Sequence, residues 1–208
     1  MITAGLLADH QIRELVHDTG MISPFYEQLI REVVGRRVVS FGLSSYGYDV
    51  QLSPEGLRVF SSRKGLAPID VKRAGQLDSV DYTPCLYLQG VPDDEYTGEE
   101  FYVLPPRAYA LGVTVETFNM PRDVTGICVG KSTYARAGLI VNTTPLEAGW
   151  TGRLVVELSN ATDLPLRVYA NEGIAQVQFH LALEECVTSY ADRDGKYQGQ
   201  DGIVLAKV

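Results

Sequence analysis

From residue 38 onward the chain consists of short apolar or alternating runs, each interrupted by glycine or proline. Runs of this kind are typical of short β-strands joined by turns. Their regular spacing favours a barrel, sandwich or jelly roll over a parallel sheet with crossover helices. The candidate strands are residues 48–52, 57–60, 85–89, 101–104, 109–116, 125–129, 139–142, 154–159, 166–168 and 175–181. We therefore predict a mostly β fold.

The segment before these strands has helical patterns instead. Asp9 can cap a first helix that Gly20 ends, and Ser23 with Pro24 repeats the start signal for a second helix. Apolar residues at helical spacing follow each start: Ile12, Leu15 and Val16, then Phe25, Leu29, Ile30 and Val33. We predict short N-terminal helices within residues 1–37 of a single domain covering residues 1–208, a length that suits one domain.

The net charge and the composition argue against several classes of function. A net charge of −8 argues against a broad grip on nucleic acid, which requires clustered Lys and Arg. No apolar run is long enough to span a membrane, and no basic-plus-apolar export segment is present at the N-terminus. Cys85, Cys128 and Cys186 are odd in number and widely spaced, which fits free thiols in a reducing compartment. We expect a cytoplasmic protein that binds neither nucleic acid nor membrane.

One cluster of carboxylates and one single aspartate could bind a cation. The stretch 90–100 carries five acids, including Asp93, and could hold a hard cation, although a solvated surface loop is the favoured interpretation. Asp49 follows a glycine turn in SSYGYDV. It could contact magnesium through water or bond its own backbone in the turn, and the sequence favours the second.

Residues 129–160 carry the most specific candidate site. Gly130, Lys131, Ser132 and Thr133 combine close backbone approach, a cation and two hydroxyls, which are the groups that a phosphate requires. Arg136 follows at a distance that would project it from a short turn towards the same ligand. The spacing is not that of a Walker loop, because Thr125 stands where its first glycine should be. Helix capping by the hydroxyls and pairing of Arg136 with any acid are the structural alternatives.

The run RLVVELS at residues 153–159 alternates as a strand does. Leu154, Val156 and Leu158 share one face, and Glu157 lies on the other. Glu157 is therefore either a solvent-facing acid or an acid lining a cleft. In a cleft, partial burial would raise its pKa towards the range useful for a general base.

Four separated motifs agree, in order, with one family. The segments LSSYGYDV, GKSTYARAGLIVNTTPLEAGWTGRLVVELSN, YANEGIAQ and SYADRDGKYQGQDG together resemble a dCTP deaminase, within the superfamily that includes the trimeric dUTPases. The resemblance implies a distorted jelly roll, or dUTPase-like β-clip barrel, that assembles as a homotrimer or a hexamer with active sites between subunits. It also implies hydrolysis of dCTP to dUTP and ammonia, which supplies dUTP for dUMP and dTTP synthesis, with feedback inhibition by dTTP.

The resemblance also implies the site residues. Glu157 would move protons from water to the cytosine ring and the amine, while Ser132 holds the water and Arg136 stabilises the developing charge, both from a neighbouring subunit. Magnesium would be carried by the triphosphate, with no direct protein ligand. Zinc is not expected, because Pro84 and Cys85 are not followed by the second cysteine of a PCxxC pair. The implied nucleotide contacts are Lys131, Ser132, Thr133, Tyr134, Ala135, Arg136, Val155, Val156, Glu157, Gln176, Tyr190, Lys196 and Gln200.

Two further features concern the end of the chain and the reaction. Residues 186–208, rich in glycine and polar side chains, should form a flexible C-terminal lid that a triphosphate orders. The dUTPase hairpin GVIDxGY is replaced here by a shorter segment that contains Pro145 and keeps an acid at Glu147. This departure predicts a single-step deaminase. The alternatives are a bifunctional deaminase and diphosphatase, a dUTPase, or a non-catalytic nucleotide-binding regulator.

Overall fold

A computed structural model describes residues 4–60, 70, 72, 79–86 and 98–207. The elements, in chain order, are β1 (Gly5–Leu6), α1 (Asp9–Thr19), β2 (Ile22–Ser23), β3 (Ile30–Val33), β4 (Arg36–Ser44), β5 (Gly47–Gln51), β6 (Leu57–Phe60), β7 (Ser79–Tyr82), β8 (Phe101–Leu104), β9 (Tyr109–Asn119), β10 (Val124–Gly130), α2 (Ser132–Arg136), β11 (Leu139–Asn142), β12 (Thr151–Asn160), β13 (Leu166–Tyr169) and β14 (Gly173–Leu181). The mostly β prediction is confirmed.

The strands form antiparallel sheets. One sheet has the order β1-β14-β5-β4-β3, with β10 also paired to β14, and a second has the order β11-β12-β9-β6-β7, with β2 also paired to β9. Strands β13 and β8 form a separate pair. A single apolar cluster draws side chains from both larger sheets, and the rings of Phe118 on β9 and Phe179 on β14 lie 6.4 Å apart within it. The core therefore joins the two sheets.

The sequence located most of the long strands. Residues 57–60, 101–104 and 139–142 match the bounds of β6, β8 and β11, and six other predictions overlap the strands that the structure contains. For the predicted strand 85–89 only residues 85 and 86 are described, and Cys85 bridges to Phe101. Strands β1, β2, β3, β4 and β7 were not predicted. Two of these, β1 and β2, have only two residues each, which is too short for a strand pattern in the sequence.

The predicted second helix is wrong. Residues 30–44 form a hairpin of β3 and β4, in which Ile30 pairs with Phe41. Its two-residue turn places Val34 and Gly35 at φ of 50° and 76°, and positive φ at both positions is the requirement of a tight hairpin turn. Cross-strand pairing has overridden the local helical spacing, so the helical part of residues 4–37 consists of α1 alone.

Helix α1 ends where the sequence indicated. Gly20 adopts the left-handed conformation, with φ of 68°, and its N–H donates to the carbonyl of Val16. The start lies one residue earlier than predicted, because Ala8 is the N-cap and its N–H donates to Oε1 of Gln11. Among the described residues, no helix has the length and apolar character needed to cross a bilayer.

Candidate active site

A cavity of about 450 Å³ opens beside β12 and contains Glu157. Its walls come from four parts of the chain: Phe60 at the end of β6, strands β9 and β12, the segment 144–150, and the C-terminal segment, which we define as residues 186–207. The side chains that line it include Tyr109, Glu147, Val155, Glu157, Tyr190, Tyr197 and Gln200. We call this cavity the Glu157 pocket.

The alternation of β12 directs Glu157 into this pocket. Val156 and Leu158 are fully buried in the core, so Glu157 between them points to the opposite face. The register shifts between Arg153 and Val155 in a β-bulge against β9. Bulges re-aim side chains, and here Leu154 as well as Val155 lines the pocket. Glu157 is thus an acid lining a cleft, which settles the two alternatives left by its strand pattern.

The surroundings of Glu157 favour its neutral form. Burial raises the pKa of this carboxyl to about 7, although a hydrogen bond to the backbone opposes the shift. Its Oε2 atom is buried and has no hydrogen-bond partner among the described residues. Burial also raises the pKa of the nearby Tyr109 hydroxyl to about 12, with the charge of Glu157 adding to the effect. A carboxyl with a pKa near neutrality and a free oxygen is suited to general acid–base work.

The C-terminal segment covers one side of the Glu157 pocket. Tyr190 and Gln200, two of the nucleotide contacts that the resemblance implies, line it, and their contact with a nucleotide stays a prediction. Gln200 is bound at the start of β12, where its carbonyl accepts from the N–H of Arg153 at 2.8 Å and its Nε2 donates to the carbonyl of Arg153 at 2.8 Å. Lys196 does not line the pocket in the described structure; its Nζ donates to the carbonyl of Lys207 at 3.3 Å.

The residues of α2 lie elsewhere. Within the described part of this single chain, none of the α2 side chains lines the Glu157 pocket. Tyr134 is buried, whereas the other four face outward and are exposed: Ser132, Thr133, Ala135 and Arg136. The structure therefore brings Val155, Glu157, Tyr190 and Gln200 together and leaves α2 outside. A contribution of Ser132 and Arg136 from a neighbouring subunit stays a prediction.

Asp49 connects two other predicted contact residues. Its carboxylate forms an ion pair with Lys131 and accepts a hydrogen bond from Nε2 of Gln176 at 2.9 Å. The same Gln176 nitrogen donates to Oγ of Ser44 at 3.1 Å. The turn contact that the sequence favoured for Asp49 is therefore replaced by side-chain contacts. Because both carboxylate oxygens are occupied and Asp49 is buried, it does not fit the alternative role of a magnesium contact.

Two buried charged residues, one on β9 and one on β12, are not among the site residues that the sequence predicted. Glu116 is fully buried, accepts hydrogen bonds from the N–H of Gln51, and has its pKa raised by burial to about 8. Arg153 donates from Nε to the carbonyl of Thr114 at 2.8 Å and bonds Glu55 at 2.5 Å. In the sequence, the alternation of β9 and β12 is the one local signal for Glu116 and Arg153. Alternation indicates the face on which a charged side chain lies, but it does not indicate which residue pairs with that charge.

The described residues contain no cluster of three His, Cys, Asp or Glu side chains that could hold a metal ion. The three cysteines are free thiols, as the sequence indicated. Most of the acidic stretch 90–100, including Asp93, lies outside the described residues.

Comparison with known proteins assigns the family. The model of the dCTP deaminase-like family matches residues 6–182. Curated relatives named dCTP deaminase include those of Acidithiobacillus ferrooxidans, 44% identical over 96% of this chain and 97% of the relative. Similar relatives are those of Campylobacter curvus, 44% identical over 98% of both chains, and Pseudomonas putida, 45% identical over 96% of this chain and 97% of the relative.

A solved structure supports the fold. The 2′-deoxycytidine 5′-triphosphate deaminase of Agrobacterium tumefaciens superposes with a TM-score of 0.54 over 87% of this chain, at 20% identity. The superposed part spans 49% of that solved chain, so this similarity concerns the fold alone. The family match extends over most of the sequence, and the curated relatives are matched along nearly their full lengths. The chain therefore belongs to the dCTP deaminase-like family.

Proposed function

We propose that this protein is a dCTP deaminase, which hydrolyses dCTP to dUTP and ammonia without zinc. The observation that carries the proposal is the position of Glu157 in a pocket of about 450 Å³. This carboxyl is partly buried, its pKa is raised to about 7, and its Oε2 atom bonds none of the described residues. The curated relatives that carry the name dCTP deaminase support the choice of substrate. The reaction would supply dUTP for dUMP and dTTP synthesis in the cytoplasm.

Glu157 acts as the proton carrier in the proposed mechanism. Its carboxylate takes a proton from water as the oxygen attacks C4 of cytosine, and delivers this proton to the ring nitrogen N3. A second proton passes from the new hydroxyl group to the leaving amine, so that the C4–N bond breaks and ammonia departs. Ser132 holds the attacking water, and the Arg136 guanidinium stabilises the charge that develops during attack.

A second copy of the chain would complete this site. In one chain the exposed face of α2 carries Ser132 and Arg136 away from the Glu157 pocket. The strands on either side of α2 expose apolar side chains, with Ile127 at 45%, Val129 at 41% and Ile140 at 56% exposure. Exposed apolar side chains beside the outward-facing Ser132 and Arg136 suit a subunit interface. We propose a homotrimer, or a hexamer made of two trimers, with sites between subunits.

The remaining nucleotide contacts follow the family pattern. We assign the triphosphate to the loop and turn at residues 131–136, and the nucleoside to the backbone around Val155 and Val156 and to Gln176. Tyr190, Lys196 and Gln200 belong to residues 186–208, which we propose to act as a lid over the bound triphosphate. Magnesium would enter with the nucleotide and neutralise part of its phosphate charge, and dTTP would act as a feedback inhibitor.

A single-step reaction is favoured over a bifunctional one. Glu147 stands where dUTPases carry the acid that supports triphosphate hydrolysis, and its carboxylate forms an ion pair with Arg193 of the C-terminal segment. Arg193 in turn lies over the ring of Tyr190, 5.2 Å from its centroid. A carboxylate engaged by a guanidinium in this way is a poor acceptor for a proton from water. We therefore propose that dUTP is released as the product.

The first test is a coupled assay on purified protein with magnesium and a panel of deoxynucleotides. We expect dCTP to yield equal amounts of ammonia and dUTP, with no pyrophosphate. Removal of magnesium with EDTA should lower the activity, and added magnesium should restore it. Formation of dUMP and pyrophosphate from dCTP without a lag would contradict the single-step reaction. Pyrophosphate from dUTP without any ammonia from dCTP would identify a dUTPase instead.

The pH dependence of kcat/KM provides a second prediction. Since the pKa of Glu157 is raised from its ordinary value to about 7, the carboxyl is protonated below that pH and cannot accept a proton from water. We expect kcat/KM for dCTP to fall about tenfold per pH unit below pH 7 and to level off above it. Initial rates between about pH 5 and 9 at constant ionic strength measure this. A flat profile, or a midpoint near that of an ordinary glutamate, would refute Glu157 as the base.

A further inference from the structure

Arg153 carries a buried positive charge near the start of β12. Its side chain is 10% exposed, and a cation with so little access to water needs partners within the protein. The neighbouring carboxyl of Glu116 supplies little negative charge, because burial raises the pKa of Glu116 to about 8 and keeps this group mostly neutral at pH 7. The partners of the Arg153 guanidinium must therefore lie elsewhere.

One partner is the bulge at which the pairing of β12 with β9 changes register. Nε of Arg153 donates to the carbonyl of Thr114 at 2.8 Å, and the N–H of Leu154 donates to Oγ1 of Thr114 at 3.0 Å. Side-chain hydrogen bonds thus replace part of the strand ladder at this point. The guanidinium stabilises the bulge that directs Leu154 and Val155 to the Glu157 pocket.

Two solvent-facing acids supply the negative charge for the guanidinium. Nη1 of Arg153 donates to Oε2 of Glu55 at 2.5 Å, and Glu55 lies between β5 and β6. The same nitrogen donates to the carbonyl of Asp201 at 3.4 Å and lies 3.9 Å from Oδ1 of Asp201. The side chain of Asp201 is 91% exposed. One of the two acids therefore belongs to the C-terminal segment.

The backbone of Arg153 contacts the C-terminal segment as well. Its N–H donates to the carbonyl of Gln200, and its carbonyl accepts from Nε2 of Gln200, each at 2.8 Å. Next to these bonds, the N–H of Gly199 donates to the carbonyl of Thr151 at 2.8 Å. The segment then continues to residues 204–206, which line the Glu157 pocket. Arg153 thus holds this segment through both its backbone and its guanidinium.

We propose that Arg153 is a positioning residue for the deaminase reaction: it anchors the C-terminal segment at the Glu157 pocket and joins this segment to the bulge of β9. The inference rests on the proposed function, in which the segment closes over the triphosphate. Arg153 is not one of the residues that line the pocket. Its loss should lower the population of the closed segment and so weaken dCTP binding. The proton transfers at Glu157 should continue.

The charge-reversal variant Asp201→Lys tests this anchoring. Because Asp201 is exposed, the fold should tolerate the change, which places an ammonium beside the Arg153 guanidinium. We expect KM for dCTP to rise about 3- to 10-fold while kcat stays within about twofold of wild type. A purely electrostatic effect has the opposite sign, because an added cation attracts the anionic triphosphate and lowers KM. An unchanged or lower KM would overturn the proposal.

The matched control is Glu184→Lys. This exposed residue lies just before the C-terminal segment, and its replacement changes the net charge by the same amount. The control should not raise KM for dCTP. If it raises KM as much as Asp201→Lys does, the effect is not specific to the partner of Arg153, and the proposal fails.

A second pair of variants changes Arg153 itself. Arg153→Met removes the charge and keeps most of the stem, and we expect it to raise KM for dCTP about 10- to 30-fold. Arg153→Lys should lie between wild type and Arg153→Met, because an ammonium can pair with the acids but lacks the fork that also reaches Thr114. The midpoint of the pH profile should stay where it is in wild type. A fall in kcat at unchanged KM would contradict the anchoring role.

Hydrogen exchange without nucleotide provides a readout that does not depend on activity. The N–H of Gly199 should exchange faster in Asp201→Lys and Arg153→Met than in wild type, while amides of α1 should not change. Unchanged exchange at Gly199 would refute the anchoring and leave the proposed function standing. If wild type releases no ammonia from dCTP but Gly199 exchanges faster in the variants, the proposed function fails while the anchoring by Arg153 stands.

Discussion

Glu157→Gln is expected to lower ammonia release from dCTP by about 10³-fold while leaving dCTP binding within a few-fold of wild type. The amide has nearly the same shape as the carboxyl, so the pocket keeps its walls. It cannot accept a proton from water at neutral pH, and the transfer to the cytosine ring is lost with it. Ammonia release measures the first effect, and calorimetric titration with dCTP and magnesium measures the second.

The matched control is Glu14→Gln, the same substitution on the exposed surface of α1, which should leave both quantities unchanged. Unchanged turnover in Glu157→Gln would remove this residue from the mechanism. Loss of dCTP binding together with turnover would assign Glu157 a role in binding or folding. A protein that binds dCTP and never releases ammonia, even as wild type, would be a nucleotide-binding regulator.

Arg136→Ala and Glu157→Gln should each be inactive alone and regain activity when the two chains are mixed in one oligomer. If every site takes Glu157 from one subunit and Arg136 from its neighbour, random mixing in equal amounts restores both residues in about a quarter of the sites. The structure motivates this expectation, because α2 faces outward and does not reach the pocket of its own chain. Coexpression with two affinity tags, followed by an ammonia assay, measures the recovery.

Two results would contradict the shared site. An inactive mixture whose oligomers contain both chains would mean that Arg136 and Glu157 act within one chain. A protein that is monomeric at assay concentrations and still active would do the same. Oligomers that combine Glu157→Gln with Glu157→Ala serve as the control and must stay inactive, because no subunit then supplies the acid.

Local pattern was sufficient for the strands with strong alternation. Val156 and Leu158 alternate with Glu157, and this period of two placed the acid opposite the core before the fold was known. Short apolar or alternating runs bounded by turn residues located β6, β8 and β11 with correct bounds. Alternation is a property of neighbouring residues, so a sequence carries it directly. The residues of four separated motifs, and the order of these motifs along the chain, likewise identified the family.

Local pattern failed where distant partners decide the conformation. Residues 23–33 have helical spacing, yet Phe25 stacks on Tyr48, with 5.5 Å between ring centroids, and Ile30 pairs with Phe41. The sequence favoured a backbone contact in the turn for the Asp49 carboxylate, but this carboxylate contacts Lys131 and Gln176 instead. In both cases the contacts that decide the outcome join residues far apart in the chain.

The amino-acid sequence alone determined the β class of this protein, its family, and the face of β12 that carries the acid. Only the tertiary structure decided that this face opens into a pocket, that burial raises the pKa of Glu157 to about 7, and that α2 lies outside. The reason is physical. Side-chain periodicity is encoded residue by residue, whereas desolvation and ion pairing depend on which distant segments come to lie against a group.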